Sequence, residues 1–472
     1  MFTNRAFVAL NRFGLGARRG DVAAIASDPR GALVAELRPE RALLDGANLA
    51  SSGDTLVALR QLQMDRKTAR ATPASADGPM APQAGTDTRP AAQAEKLATA
   101  GDTKPNAIYL AELDARIDRA MTAGVGYTER LVAFWANHFT VKAGAGEAVR
   151  TLAGAFEREA IRPYVFGKFA DMLVAATQHP AMLAYLNNET SVGPDSRVGL
   201  RSDRGLNENH ARELMELHTI GVNGGYTQAD VTNVADILSG WSFSRGGNGA
   251  NGGNPGTFVF RANAHEPGPR TIMGKVYGEP GERQGLSLLA DLARAPATAD
   301  HIARQIAQAF VADDPPPALV ASLSQTFRDT EGDLLALSRT LIDSDAAWQG
   351  PGRFRTPQQF VLASLRALDV RPKAQLVQRV LTTLGQPAWD PPSPAGYDPT
   401  AATWLAPDQM TSRLDIAEQF AELADPTADP TALADDLFGG GEDARTREAV
   451  ARAESQKQAL ALLLMSPDFQ RI

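Results

Sequence analysis

One short segment holds most of the side chains in this sequence that could do acid–base or metal chemistry. It covers residues 206–219 and reads LNENHARELMELHT, with two imidazoles and two carboxylates within nine residues. Because residues three or four apart share one face of a helix, Glu213 and Glu216 lie together, and His218 follows on the neighbouring, mostly apolar face. The pattern therefore predicts a crowded group of titratable side chains on one helix.

We interpret Glu213 and His218 as inward-pointing catalytic or metal-binding groups, since histidine titrates near neutrality and burial raises a carboxyl pKa toward that range. Their partners would come from elsewhere in the chain: His138 in FWANHFT, and His265 in NAHEPG, where Glu266 follows. The predicted catalytic residues are Glu213, His218 and His265, and the predicted metal ligands are these three with His138. Nitrogen and oxygen ligands without thiolate suit a divalent zinc, manganese or iron ion.

Five further residues are interpreted as the rim of a substrate site. Trp404 belongs to a proline-stiffened stretch, residues 385–405, whose aromatic rings either line a ligand cleft or seal the core. A purely structural interpretation also stays open, in which Arg212 and Glu216 form an ordinary ion pair and His218 is a hydrogen-bonded core residue. The rim residues are Asn207, Asn209, Arg212, Trp241 and Trp404.

The composition excludes several classes of protein. The 472 residues include 47 basic and 55 acidic side chains, a net charge of −8, with six histidines and no cysteine. A disulfide scaffold, a cysteine-ligated metal site and a thiol enzyme are excluded for lack of sulfur. The mild acidity argues against a nucleic-acid partner. The arginines are scattered singly, which favours a bias in composition over recognition of phosphate.

Apolar residues recur at helical spacing through most of the chain, which predicts a mainly α protein, a large helical bundle forming a single domain over residues 1–472. Thr128 stands where it could cap the helix that contains His138. The clearest predicted helices are 106–124, 127–139, 207–219, 227–238, 284–294, 297–312, 356–368 and 373–384.

Two stretches interrupt the helical pattern. Residues 72–104 are rich in Ala, Pro, Gly, Thr and Gln and are predicted to form a disordered insert. Residues 241–275 combine a glycine-rich run with alternating aromatic and polar residues, which predicts a small β-hairpin lid on the helical body. The N-terminus lacks the apolar core of a signal peptide, and no apolar run is long enough to span a bilayer. We expect a soluble protein that is cytoplasmic as synthesised.

Several motifs stand in a characteristic order and spacing: LNRFGLG at 10–16, FWANHF at 134–139, HPAML at 179–183, NENHARELMELHTIG at 207–221, GYTQADV at 225–231, Gly240-Trp241 and SPDFQ at 466–470. Together they resemble the bacterial domain of unknown function numbered 1800. The resemblance covers essentially the whole chain and implies a predominantly helical single domain from a bacterium, without implying an activity. His210 departs from the family pattern, which often has an aromatic residue there, and His265-Glu266 stands where the family tends to have His-Asp.

The same resemblance implies a protein partner, because genes of the family commonly neighbour those of sulfatase-like proteins that carry a twin-arginine export signal. Co-export to the periplasm with such a partner would follow.

Two hypotheses for the function result. The first is an enzyme whose Glu/His cluster, in a pocket beneath residues 241–275, binds a divalent metal or acts as an acid–base pair. The alternative is a non-catalytic partner or maturation protein that docks through residues 385–405. The sequence leaves the oligomeric state open.

Overall fold

The computed structural model describes residues 4–44, 49–71, 104–246, 253–350 and 352–472. Within these ranges helices predominate and strands are few and short, so the predicted mainly α class is confirmed. A large cluster of buried apolar side chains joins helices from Ala6 near the start to Phe469 near the end. Among the helices of these ranges, none combines the length and the apolar character that crossing a bilayer requires.

Short helices open the chain and longer ones follow. In the described part of the chain, three turns are widened to π-helical geometry, at Ala9–Phe13, Glu157–Ile161 and Leu214–His218. The helices of the first half are α1 (Arg5–Val8), α2 (Asp21–Ile25), α3 (Pro29–Val34), α4 (Pro39–Ala42), α5 (Ser52–Ala71), α6 (Lys104–Thr122), α7 (Tyr127–His138), α8 (Glu147–Phe156), α9 (Phe169–Gln178), α10 (Pro180–Tyr185), α11 (Asn209–Glu213) and α12 (Gln228–Leu238).

The second half is also helical, and many of its helices begin with proline in the first turn, where the missing N–H costs no hydrogen bond. Its helices are α13 (Glu282–Arg294), α14 (Pro296–Phe310), α15 (Pro317–Asp329), α16 (Leu334–Asp343), α17 (Asp345–Trp348), α18 (Pro357–Leu368), α19 (Ala374–Thr383), α20 (Ala401–Trp404), α21 (Pro407–Leu423), α22 (Pro430–Phe438), α23 (Ala444–Ala451), α24 (Gln456–Met465) and α25 (Pro467–Gln470).

The stretch predicted as a hairpin forms two antiparallel ribbons. Strand β1 (Trp241–Phe243) pairs with β2 (Phe258–Phe260), and β3 (Arg270–Ile272) pairs with β4 (Lys275–Tyr277). All three residues of β1 are buried, so this ribbon is part of the core and is more than a surface lid. A Cβ on Gly285 of α13 would lie 2.3 Å from the ring of Trp241, which explains the glycine at that position.

Parts of two predicted segments lie outside the described residues. Of the predicted insert 72–104, only Lys104, the first residue of α6, is described. Of the predicted lid 241–275, residues 247–252 lie outside the described ranges.

The start of α7 is capped by a carboxylate from a distant part of the chain. The prediction that Thr128 caps this helix is wrong: Thr128 lies inside the first turn, and its hydroxyl donates to the backbone oxygen of Glu36 at 3.0 Å. The buried Glu36 side chain accepts instead from the backbone amides of Gly126 at 3.0 Å and Tyr127 at 2.7 Å. A negative charge is favourable at a helix N-terminus, so this contact fixes α7 against the N-terminal helices.

We expect Glu36→Ala to lower the free energy of unfolding by about 1–3 kcal/mol, because two buried amides lose their acceptor. Urea denaturation followed by circular dichroism measures the change. Glu40→Ala, at an exposed position of α4, is the matched control and should shift the free energy by less than about 0.5 kcal/mol. Equal effects of the two substitutions would rule out the capping role.

Candidate functional site

The dense polar segment is helical, as predicted, but its second half is a widened turn. α11 ends at Glu213, and the π-helical turn Leu214–His218 follows, with the Thr219 hydroxyl donating to the Leu214 carbonyl at 2.6 Å. Arg212 bridges two carboxylates, Glu208 at 3.2 Å and Glu216 at 3.4 Å. The ion pair expected on the structural interpretation is therefore present.

Glu213 lies apart from the predicted histidines. Its side chain is half-buried, and burial, followed by the charge of Glu216, raises the pKa of its carboxyl. The nearby phenol of Tyr185 has its pKa raised, first by burial and then by the Glu213 charge. The charges that act on Glu213 are thus those of Glu216 and Arg212, and none of the predicted histidines is among them.

Three histidines do meet in the interior. The ring centroid of His138 lies 6.0 Å from that of His218 and 6.3 Å from that of His301. His138 Nδ1 lies 2.8 Å from Gln305 Oε1, and its Nε2 lies 3.1 Å from the His218 carbonyl oxygen. Burial, and then the neighbouring His301, lower the pKa of His138 to about 3, so its ring is neutral at physiological pH.

His265 lies at a different place, in the loop after β2. Its Nδ1 is 3.1 Å from the Ser239 carbonyl oxygen and its ring packs edge-on against Phe260. The adjacent Glu266 is buried, accepts from the Asp195 amide at 2.8 Å and pairs with Arg270 at 3.0 Å. The structure therefore brings His138 and His218 together and leaves Glu213 and His265 in separate surroundings.

Across the ranges that the structure describes, no three His, Asp or Glu side chains are arranged to hold a metal ion. The predicted divalent metal and its four ligands stay a prediction. The predicted catalytic roles of Glu213, His218 and His265 stay predictions as well.

The predicted substrate rim stays a prediction, and the structure describes the surroundings of three of its residues. Asn207 lies just before α11, and its Oδ1 accepts from the Asn209 amide at 2.9 Å, as in an Asx turn. Trp241 and Trp404 are buried. None of the five predicted rim residues lines the cavity described next.

A cavity of about 260 Å³ lies elsewhere, with walls from α6, α7, the end of α14, α18, α19 and residues 386–399. His138 is the one residue of the predicted site that lines it. Trp389 and Tyr397 of the proline-stiffened stretch also line it, as one of the two interpretations of that stretch expects. Asn137 fastens the stretch to the end of α7, donating to the Tyr397 carbonyl at 3.0 Å and accepting from its amide at 2.7 Å.

Three buried guanidinium groups define one part of the cavity wall. Arg130 donates to the carbonyls of Gly14 and Ala309, both at 3.2 Å, and Arg353 donates to the same Ala309 carbonyl at 2.6 Å. Arg355 donates to the Phe469 carbonyl at 2.6 Å. Their hydrogen-bond partners are thus neutral backbone oxygens, with an amide oxygen, that of Asn11, for Arg355 as well.

These positive charges have little compensation. Arg353 Nε lies 3.6 Å from Asp313 Oδ1, whereas neither Arg130 nor Arg355 has a carboxylate within 4.0 Å among the described residues. Burial, and then the charges of Arg353 and Arg355, lower the pKa of Arg130 well below its usual range. Burial, and then Arg413, lower the pKa of Arg355 to about 9. Among the described residues, these two cations are held by neutral oxygens and by the rings of Phe310 and Phe469, without a carboxylate.

The other charged residues of the cavity wall already have partners. The Glu129 carboxylate pairs with Arg162 at 2.8 Å, and Asp398 accepts from the Thr400 amide at 2.8 Å. Arg116 stacks on the Trp389 ring, 5.2 Å from its centroid, and lies 3.5 Å from Glu157. The uncompensated positive charge is therefore concentrated at Arg130 and Arg355.

Sequence reasoning missed this cationic wall because Arg130 is more than 200 residues from its partners along the chain. The scattered arginines are gathered only by the fold. One signal was available: in Arg353-Phe354-Arg355, alternate side chains of an extended segment share a face. That spacing could have marked a pair of guanidinium groups facing one site.

The family model described as protein of unknown function (DUF1800) matches residues 8–471. The chain belongs to the DUF1800 family. The resemblance drawn from the sequence motifs is thereby confirmed, and the family description assigns no activity. Neither curated proteins nor solved structures give a match.

His210 of this DUF1800 protein is a buried polar residue whose ring lacks hydrogen bonds to the described residues. Its side chain is fully buried, and neither ring nitrogen has a hydrogen-bond partner among the described residues. Burial lowers the pKa of the ring to about 4. The folded protein therefore carries a neutral imidazole that the unfolded chain would protonate near its ordinary pKa.

This arrangement predicts a specific contribution to acid sensitivity. Between pH 6.5 and pH 4 the unfolded state binds a proton at His210 that the folded state does not, so stability falls as the pH is lowered, by up to about 1.4 kcal/mol per unit. We expect His210→Phe to flatten this part of the curve and to raise stability near neutral pH, since two unsatisfied nitrogens are removed. Thermal melting measured across this pH range provides the test.

His301→Phe is the matched control. His301 Nδ1 lies 2.8 Å from the Thr219 carbonyl oxygen, so its replacement loses a hydrogen bond and should lower the melting temperature. An acid-limb slope of His210→Phe equal to that of the unmodified protein would show that His210 does not contribute.

Proposed function

We propose that this protein binds a small organic anion in the cavity lined by Arg130, Arg353 and Arg355. The observation that carries the proposal is the absence of a carboxylate within 4.0 Å of Arg130 and Arg355 among the described residues, although both side chains are buried. A buried charge without a counter-charge is costly, and a bound anion removes that cost.

The remaining wall indicates what kind of anion fits. Guanidinium groups bind carboxylate and phosphate oxygens through paired N–H donors. Apolar side chains such as Leu113, Phe134 and Val361 line the same cavity and suit an apolar body. A volume of about 260 Å³ lies near the lower end of small-molecule sites. The ligand is therefore a small amphipathic anion rather than a macromolecule.

One observation supports an enzymatic form of this function. His138, which belongs to the predicted acid–base and metal cluster, lines the cavity. Its Nδ1 lies 2.8 Å from the Gln305 amide and its Nε2 lies 3.1 Å from the His218 carbonyl, so acid–base turnover through this ring would require one of these contacts to open. The metal-dependent form has no comparable support.

The alternative of a partner or maturation protein for an exported sulfatase-like protein stays a prediction. The aromatic rings through which it would dock, Trp389, Tyr397 and Trp404, are buried. Residues 385–405 therefore offer little aromatic surface to a partner.

Binding can be tested with ligands that differ only in their charged group. We expect octanoate, octyl phosphate or octyl sulfate to bind in isothermal titration calorimetry and to raise the melting temperature, because a ligand bound to the folded state stabilises it. The uncharged 1-octanol should do neither at the same concentration. Equal binding of 1-octanol and the anions would contradict an electrostatic site.

Two substitutions connect binding to the cavity. Arg130→Gln and Arg355→Gln should each weaken the binding of the best anion about tenfold or more, the worth of one charge-assisted hydrogen bond. Arg445→Gln, on an exposed face of α23, removes the same charge far from the wall and should leave the affinity unchanged. Circular dichroism checks that the variants are folded. Native affinity in both cavity variants would place the anion elsewhere.

A further inference from the structure

A second polar group lies in the cavity wall, away from the arginines. It is the contact between His138, the last residue of α7, and Gln305 of α14. Arg130 lies eight residues before His138 on α7, a distance of about 12 Å along the helix axis. Gln305 lies one helical turn, about 6 Å, before Ala309, whose carbonyl accepts from the arginines. The cavity wall therefore has a cationic end and a neutral polar end.

The location of the ring proton of His138 determines which hydrogen-bonding group the neutral end presents to a ligand. The ring of His138 is neutral, because it is buried beside two other histidines, and so carries a single N–H. The His218 carbonyl, 3.1 Å from Nε2, can only accept, which places the proton on Nε2. Nδ1 is then an acceptor and requires a donor.

Gln305 is the neighbour that can meet this requirement. Its amide group lies 2.8 Å from Nδ1, and a half-turn about its last side-chain bond presents the NH₂ to that nitrogen. The amide oxygen is then the atom that faces away from His138. Apart from His138, no described residue hydrogen-bonds to this amide, so a half-buried acceptor is left at the neutral end of the cavity.

Two kinds of donor could satisfy that acceptor, a hydroxyl and an ammonium. The charges of the wall separate them. Four arginines line the cavity, at 116, 130, 353 and 355, against the carboxylates of Glu129 and Asp398. An excess of positive charge in a buried cavity repels an ammonium group and leaves a hydroxyl unaffected.

Resting on the proposed function, we infer that the ligand is an elongated hydroxy acid. Its anionic group binds at Arg130 and Arg355, and its hydroxyl, at the opposite end, donates to the Gln305 amide oxygen. The spacing along α7 favours a ligand whose two groups are separated by an apolar body.

Three acids of one chain length test the inference: octanoate, 8-hydroxyoctanoate and 8-aminooctanoate. We expect the hydroxy acid to bind about fivefold more tightly than octanoate, the worth of one neutral hydrogen bond, and the amino acid to bind more weakly than either. Gln305→Leu removes the acceptor at similar volume. In this variant the hydroxy acid should lose its advantage, whereas octanoate should keep its affinity.

The outcomes separate this inference from the function on which it rests. Binding of octanoate and 8-hydroxyoctanoate with equal affinity would overturn the inference and leave anion binding intact. Failure of every acid to bind would overturn the proposed function. Tighter binding of 8-aminooctanoate than of 8-hydroxyoctanoate would show that the positive charge of the wall does not repel an ammonium group, which also overturns the inference. An unchanged hydroxyl preference in folded Gln305→Leu would show that another group recognises the hydroxyl, which also overturns the assignment.

Discussion

The architecture depends on buried arginines that donate to backbone carbonyls far away in the sequence. Arg366 of α18 donates to the carbonyls of Gly16 at 2.9 Å and Ala120 at 2.8 Å. Arg12 reaches the carbonyl of Ala347 at 3.0 Å in the same manner. A planar group with five donors can join several chain segments at one point, which no apolar side chain can do. The N-terminal segment is thereby bound to helices that lie more than 300 residues later.

This mode of cross-linking has an electrostatic consequence. Arg162, which is equally buried, lies between the carboxylates of Glu129 at 2.8 Å and Glu157 at 2.9 Å, and their charges raise its pKa. Where the acceptors are carbonyls, the dipoles orient the guanidinium but do not neutralise it, and the pKa of Arg130 falls. The fold thus pairs some buried cations with carboxylates and leaves others, among them Arg12 and Arg413, on neutral oxygens alone. What distinguishes Arg130 and Arg355 is that they also line a cavity into which an anion could enter.

Local sequence signals were sufficient for most of the fold and insufficient for the site. The apolar spacing over 227–238 predicted α12 to within one residue of its start, and the structure shows that Thr227 and Asp230 cap that start. The cap of α7 comes from Glu36, which no local pattern around Thr128 could indicate. Of the predicted site residues, His138 lines the cavity. The arginines of the same cavity, Arg353 and Arg355, come from a distant part of the chain, and hydrophobic periodicity does not encode such tertiary contacts.

The two ends of the cavity are nevertheless related through one rigid element. α7 carries Arg130 and His138 two turns apart, and the cavity-lining residues Ala133, Phe134 and Asn137 fall between them at helical spacing. A charge at one end and a proton-fixed imidazole at the other are therefore held at a constant separation, since the helix cannot stretch without losing its hydrogen bonds. A ligand that contacts both ends is selected for its length as well as for its charge. Because Asn137 also bonds to the backbone of Tyr397, the helix that sets this length anchors residues 386–399, which form another part of the cavity wall.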